Sequence, residues 1–351
     1  MDHLEYFRDF PRVVRIEPAA SCNLRCSHCP TGTVELERGI MKADVFDRVI
    51  EEIERHFDKV KVVVLYHGGE PLLNKAFPEM IRRVKAIGIP FVKTVSNGML
   101  LTQRAIADLL ESGLDSIEFS IDGESPAEHN FVRRRSDCDT IVANIKRLID
   151  TKMALGLNTP RVQITSAHFL TAEELQNKDR QKDPSPADFM VREFSGKYAD
   201  QIGFNGVFAM RWPHMAVIDE LYEVQIDPHE TEDGNECDHV LNVVSIRWNG
   251  DVVPCCHDIT SQHVLGNVLE SSLSDIWNNE KYRRLRKSID TMQFIGICGN
   301  CNAVRPSAYL IMKPAVRAMF DTLPVNMTTA SPSTTPSDSQ QMIPLTIVAK
   351  Y

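Results

Sequence analysis

Over the first two hundred or so residues, short apolar runs alternate with longer stretches whose apolar residues recur every three or four positions. The runs RVVRI (12–16), KVKVVVLY (59–66), PFVKTVS (90–96), DSIEFSI (115–121), RVQITSA (161–167) and QIGFNGVFAM (201–210) are rich in β-branched and aromatic residues and predict strands. Between the first two, Val45, Phe46, Val49, Ile50, Ile53 and Phe57 share a helical face, with Asp44 near its start. PEMIRRVKAIG and QRAIADLLESG end on Gly88 and Gly113, placed to cap helix C-termini, and TIVANIKRLIDTKMALG carries the alternation to Gly156. Repeated strand–helix units predict parallel strands joined by helices. About six units are present, short of a closed eightfold barrel, so the expected fold is α/β with a partial (βα)6 TIM-type barrel. Sites in such folds form at the carboxyl ends of the strands.

From about Asp219 the rhythm changes. Residues 236–301 hold five of the nine cysteines, and VVSIRWNGDVVPCC reads as a hairpin turning at Asn249-Gly250. SLSDIWNNEKYRRLRKSI then reads as a helix. The expected layout is a lead (1–12), the barrel (13–218), a small cysteine-rich α+β domain (219–320) and a tail (321–351). The tail contains TTASPSTTPSDSQQ, which cannot bury a core and is expected to be disordered, and it closes on MIPLTIVAKY, read as a loose tail.

Apolar residues at 43% and charged residues at 25% fit a globular chain, and a net charge of −9 argues against broad binding to nucleic acid or anionic lipid. Neither a secretory signal nor an apolar run of about 18 residues is present, so a cytoplasmic protein without a membrane span is expected. An odd number of cysteines without an export signal favours reduced thiols or metal ligands over disulfides.

Cys22, Cys26 and Cys29 lie in one loop, C-x3-C-x2-C, directly after the first strand. A structural zinc site needs four ligands, and the available fourth, His28, sits between ligands where its ring tends to point away. Three thiolates suit a [4Fe–4S] cube with one iron left open, while zinc stands as the alternative. The later set, Cys237, Cys255, Cys298 and Cys301, offers four thiolates, as a closed cluster or a zinc site would. Cys256 is extra and reads as a buried thiol; Cys138 reads as incidental.

CNLRCSHC resembles the signature of the radical S-adenosylmethionine (SAM) superfamily. YHGGEPLL (66–73) resembles the family's GGEP motif, SNGMLLT (96–102) its NG-x-LLT segment, and FSIDG (119–123) with EHNFVR (128–133) its SIDG and following segment. All follow successive predicted strands. The resemblance implies that Cys22, Cys26 and Cys29 hold the SAM-binding cluster. It further implies that Gly68 and Gly69 let backbone approach the methionine part of SAM and that Glu70 receives its ammonium. Asn97 and Ser120 would join the SAM site, with Ser120 at the ribose, Arg133 facing the carboxylate and Asp122 shaping the loop. His28 stands where many relatives carry an aromatic residue and is placed to stack on adenine. The implied chemistry is reductive cleavage of SAM to a 5′-deoxyadenosyl radical, with an electron donor such as flavodoxin or ferredoxin.

The spacing C-x12-G-x4-C, a gap of 42, then C-x2-C resembles the auxiliary-cluster (SPASM/twitch) domain of this superfamily, in its short form with one auxiliary [4Fe–4S] cluster. That layout is similar to the aminocyclitol dehydrogenases of butirosin type. It implies an oxidoreductase that oxidises or rearranges a sugar- or aminocyclitol-like compound in natural-product biosynthesis. With 21 residues before Cys22, an N-terminal leader-peptide-binding domain is not expected, and maturation of a ribosomally made peptide is the alternative. His168, Arg211, Trp212 and His214 follow the fifth and sixth strands; Arg211 is the candidate for binding an anionic group or deprotonating a ketyl radical.

Overall fold

The computed structural model describes residues 6–177, 184–230 and 237–321. The expected tail, with both its Ser/Thr/Pro-rich stretch and its apolar end, lies outside the described residues. Six parallel strands run in chain order across one sheet: β1 (Val13–Ile16), β2 (Val62–Leu65), β3 (Phe91–Ser96), β4 (Ser116–Ser120), β5 (Arg161–His168) and β6 (Ile202–Phe208). Helices α1 (Ala43–Arg55), α2 (Phe77–Ala86), α3 (Gln103–Leu110), α4 (Pro126–Val132) and α5 (Cys138–Ala154) make or accompany the crossovers. The α/β partial barrel expected from the alternation is the fold.

One face of the strands explains most of the core. Val14, Ile16, Val63, Leu65, Val92, Ile117, Phe119, Val162 and Ile164 pack with Val45, Phe46, Val49, Ile50 and Ile53 of α1 and with Ile81, Val84, Ile106 and Leu109 of the next two helices. Each such side chain, fully buried, contributes about 1.5–3 kcal/mol by leaving water. Helices α2 and α3 and the end of α5 lead into Gly88, Gly113 and Gly156, all at positive φ, where a glycine avoids the steric cost of a left-handed turn. Helix α1 stops at Arg55, and Phe57, expected on its apolar face, is 57% exposed as the chain turns back toward β2.

The later hairpin joins the barrel sheet, and one expectation from the sequence, a single helix after it, is corrected. After β7 (Tyr222–Ile226), the strands β8 (Val243–Ile246), β9 (Asp251–Val253) and β10 (Gly266–Asn267) extend the barrel sheet, because β8 pairs in parallel with β1. SLSDIWNNEKYRRLRKSI forms two helices, α6 (Leu273–Trp277) and α7 (Glu280–Asp290). The break falls at Asn279, whose side chain accepts from the Tyr282 N–H and so starts a new helix. Finally, β11 (Ala308–Met312) pairs antiparallel with β7 and hydrogen-bonds to Leu170 and Ala209, beyond the carboxyl ends of β5 and β6. No helix among the described residues is long and apolar enough to cross a membrane.

Candidate active site

The loop after β1 carries the first three cysteines and is fixed from several sides. The backbone of Cys26 joins a two-residue antiparallel ladder in which Arg25 and Cys26 pair with Arg134 and Arg133. Ser27 donates from its N–H to the Val132 carbonyl, and its hydroxyl lies 2.6 Å from that of Tyr222. Cys29 leads into a short helical turn, where a side chain at Gly32 would overlap the Cys26 carbonyl.

The turn after β2 lies directly over this loop. Glu70 donates its N–H to the Ser21 carbonyl at 2.8 Å, and Gly68 donates to Glu17 Oε1 at 3.0 Å. At Gly69 a Cβ would overlap the carbonyl oxygens of Ala19 and Ser21, so the close approach this glycine permits is backbone against the cysteine loop. The Glu70 carboxylate is 1% exposed and accepts from Leu72 N–H, Asn97 N–H and the Ser96 hydroxyl. Burial pushes its pKa up to about 6 against those three donors. It therefore ties the β2 turn to the β3 turn. Asn97 in turn donates its amide to Asn23 at 2.8 Å, with Cys22 Sγ at 3.9 Å.

Beyond β4, Asp122 is the centre of a buried polar network. Its carboxylate accepts from Arg133 Nε at 2.6 Å, His28 Nε2 at 3.1 Å and the Ala167 N–H at 2.8 Å. Burial alone would raise its pKa, but Arg133 and His28 hold it well below the ordinary carboxylate range. His129, fully buried, accepts the Asp122 N–H on Nδ1, and burial lowers its pKa to about 4. Asp122 thus shapes the loop, as expected, and does so by orienting two cleft side chains. His28 is paired with a carboxylate through Nε2 and lies edge-on to Phe169.

These elements close around one cleft, lined by Cys22, Cys26, Cys29, Gly68, Gly69, Glu70, Asn97, Ser120 and Arg133, the sequence candidates for the cluster and SAM. Tyr66, Val95, Trp212 and His28 are also among its walls. Arg211 does not line the cleft: its side chain is exposed, while its backbone bonds to Ala308 and Asn302. The chain direction after β6 instead turns the neighbouring Trp212 inward. His214 is exposed, and His168 is buried against Glu124 at 2.8 Å.

The second cysteine set lies next to the β8–β9 hairpin. Cys255 and Cys256 follow β9, while Cys298 and Cys301 are buried on a tight turn over Gly296–Asn300. Burial raises Cys255 well above the usual thiol range and pushes Cys298 up to about 12; each thiol also senses the charge of Cys237 and Cys301. His257 Nδ1 lies 3.4 Å from Cys301 Sγ, and Cys256 Sγ lies 3.7 Å from His239 Nε2. All nine cysteines are free.

Among the described residues, no three His, Cys, Asp or Glu side chains close on a single ion. Thiolates on one zinc would stand about 3.8 Å apart, as 2.3 Å bonds at tetrahedral angles require. A cluster spreads its thiolates over separate irons; Cys22, Cys26 and Cys29 line one cleft, and thiolates are the donor type that iron–sulfur clusters take. Burial pushes Cys22 up to about 11 and Cys26 up to about 12, so both are protonated thiols until metal displaces the protons.

Residues 16–159 match the model of the radical SAM superfamily, and residues 237–302 match that of SPASM, an iron–sulfur cluster-binding domain. The chain belongs to the radical SAM superfamily. It is a radical SAM enzyme with a SPASM-type region, whose implied cofactors are [4Fe–4S] clusters and SAM. It is 26% identical over 306 residues to the tungsten-containing aldehyde ferredoxin oxidoreductase cofactor-modifying protein of Pyrococcus furiosus, covering 77% of this chain and 82% of that one. It is 26% identical over 321 residues to the AdoMet-dependent heme synthase of Methanosarcina barkeri, covering 83% and 88%. The fold is shared with BtrN in complex with AdoMet and 2-DOIA (TM-score 0.51, 17% identity, 84% and 94% covered). It is also shared with anSMEcpe with bound AdoMet (TM-score 0.52, 14% identity, 83% of each chain).

One part of the site escaped sequence reading: Glu17 and Arg247, 230 positions apart, form a buried ion pair at 2.5 Å that joins the end of β1 to the hairpin. Trp212, singled out by its place after the sixth strand, lines the cleft.

Proposed function

We propose that Cys22, Cys26 and Cys29 hold the cluster that binds SAM, that Cys237, Cys255, Cys298 and Cys301 hold an auxiliary cluster, and that the enzyme oxidises a small hydroxylated substrate. When bound, the first cluster with SAM supplies a primary carbon radical, and the second accepts one electron. Overall, a secondary alcohol becomes a ketone by losing a hydrogen atom, a proton and an electron. The protein's residues position and shield. In this reading Gly68, Gly69, Asn97, Ser120 and Arg133 seat SAM, while Glu70 holds two of the turns that form that seat. Tyr66, Val95 and Trp212 keep water from the reacting carbon.

The observation that carries this reading is the contact path from the cleft to the second cysteine set. Trp212 lines the cleft, its ring lies 4.9 Å from that of His257, and His257 reaches Cys301 at 3.4 Å. An electron leaving the cleft has a route of successive contacts, half-buried at Trp212 and His257 and buried at Cys301. A low-potential donor such as flavodoxin or ferredoxin delivers the initiating electron, in the reducing cytoplasm that nine free cysteines suit.

The test is anaerobic reconstitution followed by turnover with SAM and dithionite. Release of 5′-deoxyadenosine supports the reading, and its absence from fully loaded protein contradicts it. Cys255→Ala should keep SAM cleavage while losing oxidised product; undiminished product would refute the electron route.

A further inference from the structure

The segment that carries Trp212 into the cleft is held by an interrupted ladder. After β6 the chain runs antiparallel to the start of β11. Leu310 donates its N–H to the Ala209 carbonyl at 2.9 Å, and Arg211 donates its N–H to the Ala308 carbonyl at 2.7 Å. Met210 and Tyr309 between them are therefore a pair without mutual hydrogen bonds, and the next pair, Arg211 with Ala308, would ordinarily exchange two. One of the two is replaced by a side chain. Asn302 Oδ1 accepts the Ala308 N–H at 3.1 Å, and Asn302 Nδ2 donates to the Arg211 carbonyl at 3.0 Å. The carboxamide thus stands between the donor and the acceptor that would otherwise meet. The following exchange would set Pro213 against Pro306, and neither has an N–H, so the ladder ends at this rung.

Asn302 is the chain neighbour of Cys301, so this tie starts from the second cysteine turn. The Trp212 ring is held from the same turn. It lies edge-on to His257, with 4.9 Å between ring centres and 72° between the planes, and His257 Nδ1 lies 3.4 Å from Cys301 Sγ. Two consecutive residues therefore reach Trp212, one through the backbone before it and one through its ring. The indole is half-buried and lines the cleft together with Cys22, Cys26 and Cys29, whereas Met210 and Arg211 ahead of it are exposed. A connection with so little burial of its own takes its course from the hydrogen bonds that tie it down.

We propose that Asn302 is a positioning residue: it holds the Arg211 carbonyl so that Trp212 stands as a wall of the cleft, and it makes that wall depend on the turn that carries Cys298 and Cys301. This rests on the reading of the cleft as the seat of SAM. A primary amide suits the open rung because it offers one acceptor and one donor in a single plane. An aspartate in its place would still accept from Ala308 but would set a second acceptor against the Arg211 carbonyl. An alanine would release both strands from each other at this rung. The contact through His257 concerns where an electron goes, whereas the contact through Asn302 concerns where the indole stands.

The test is a double-mutant cycle on anaerobically reconstituted enzyme, with SAM affinity read by calorimetry and backbone amide exchange read by mass spectrometry. Asn302→Ala and Asn302→Asp should each weaken SAM binding about three- to tenfold, the worth of one neutral hydrogen bond. Trp212→Ala should weaken it as well, and Asn302→Ala added to Trp212→Ala should weaken it no further, because the first acts through the second. Amides of residues 209–212 should exchange faster in both Asn302 variants while those of β6 keep their rates. Unchanged affinity in both Asn302 variants, additive losses in the double variant, or wild-type affinity in Asn302→Asp overturns the proposal. So does loss of iron from the second cysteine set, which would make Asn302 part of that turn alone. Wild-type enzyme that binds no SAM counts against the reading of the cleft; unchanged exchange over residues 209–212 counts against this inference alone.

Discussion

The two cysteine sites of this protein are built in opposite ways. The first places three thiols within eight residues of one loop, and strand ends from four neighbouring units then close over it. The second gathers its thiols from 237 to 301, on a hairpin edge and a distant tight turn, with His239 and His257 packed among them. The loop site is open on the side where Ser120, Arg133 and Trp212 form walls, which suits a site that admits small molecules. At the hairpin site Cys298 and Cys301 are buried and imidazoles lie against the thiols, which suits the proposed role of exchanging electrons alone. Local spacing therefore announces the first kind of site, and only the assembled sheet produces the second.

The largest effect is expected where the two regions are clasped. Glu17 is fully buried, and its carboxylate accepts from Arg247 Nε, the Gly68 N–H and the Trp248 N–H. Removing one partner leaves the other charge buried alone, which costs about 3–5 kcal/mol. Arg247→Met should therefore lower the thermal midpoint sharply and loosen both sites together. An unchanged melting profile would mean that the regions are independently stable.

A similar effect of about 3 kcal/mol belongs to His129, on the loop side alone. Its folded pKa, about 4, is depressed below the ordinary 6.5 by burial, a difference of about 2.5 units at 1.36 kcal/mol each. A depressed histidine gives stability above pH 6.5 that is lost as pH falls through 4, because the unfolded chain takes the proton first. Urea unfolding of wild type and His129→Gln should differ most at pH 7 and converge toward pH 4. A constant gap would show that His129 does not titrate as its burial requires.

Smaller again is the effect of Asp122→Asn, which weakens the hold on Arg133 and His28. Losing a charged hydrogen bond costs about 1.5–3 kcal/mol, so affinity for SAM should fall about ten- to hundredfold while iron content stays. Loss of the second cluster instead would place Asp122 in the wrong region.

The strands, their order and the first cysteine loop were legible because each is written locally: apolar runs of strand length, glycines at helix ends, three thiols in eight residues. What was not legible depends on distance along the chain. Nothing near Glu17 announces Arg247, and nothing in VVSI announces a parallel pairing with VVRI. The Asn279 cap was readable in principle, since Asn-Glu opening an amphipathic stretch is a helix start, yet the continuous periodicity masked it. Position after the sixth strand points to Arg211, Trp212 and His214 alike; which side chain enters the cleft depends on the turn after β6, which directs the Trp212 indole inward and leaves Arg211 exposed.

The central claim is that one loop makes the radical and a separate, closed set serves it. Its most direct measurement is iron content with 5′-deoxyadenosine release in anaerobically reconstituted wild type and in the Cys22→Ala/Cys26→Ala/Cys29→Ala variant. Two [4Fe–4S] clusters predict about eight irons in wild type and about four in the variant, which should release no 5′-deoxyadenosine. A variant that keeps all its iron, or that still cleaves SAM, would contradict the account.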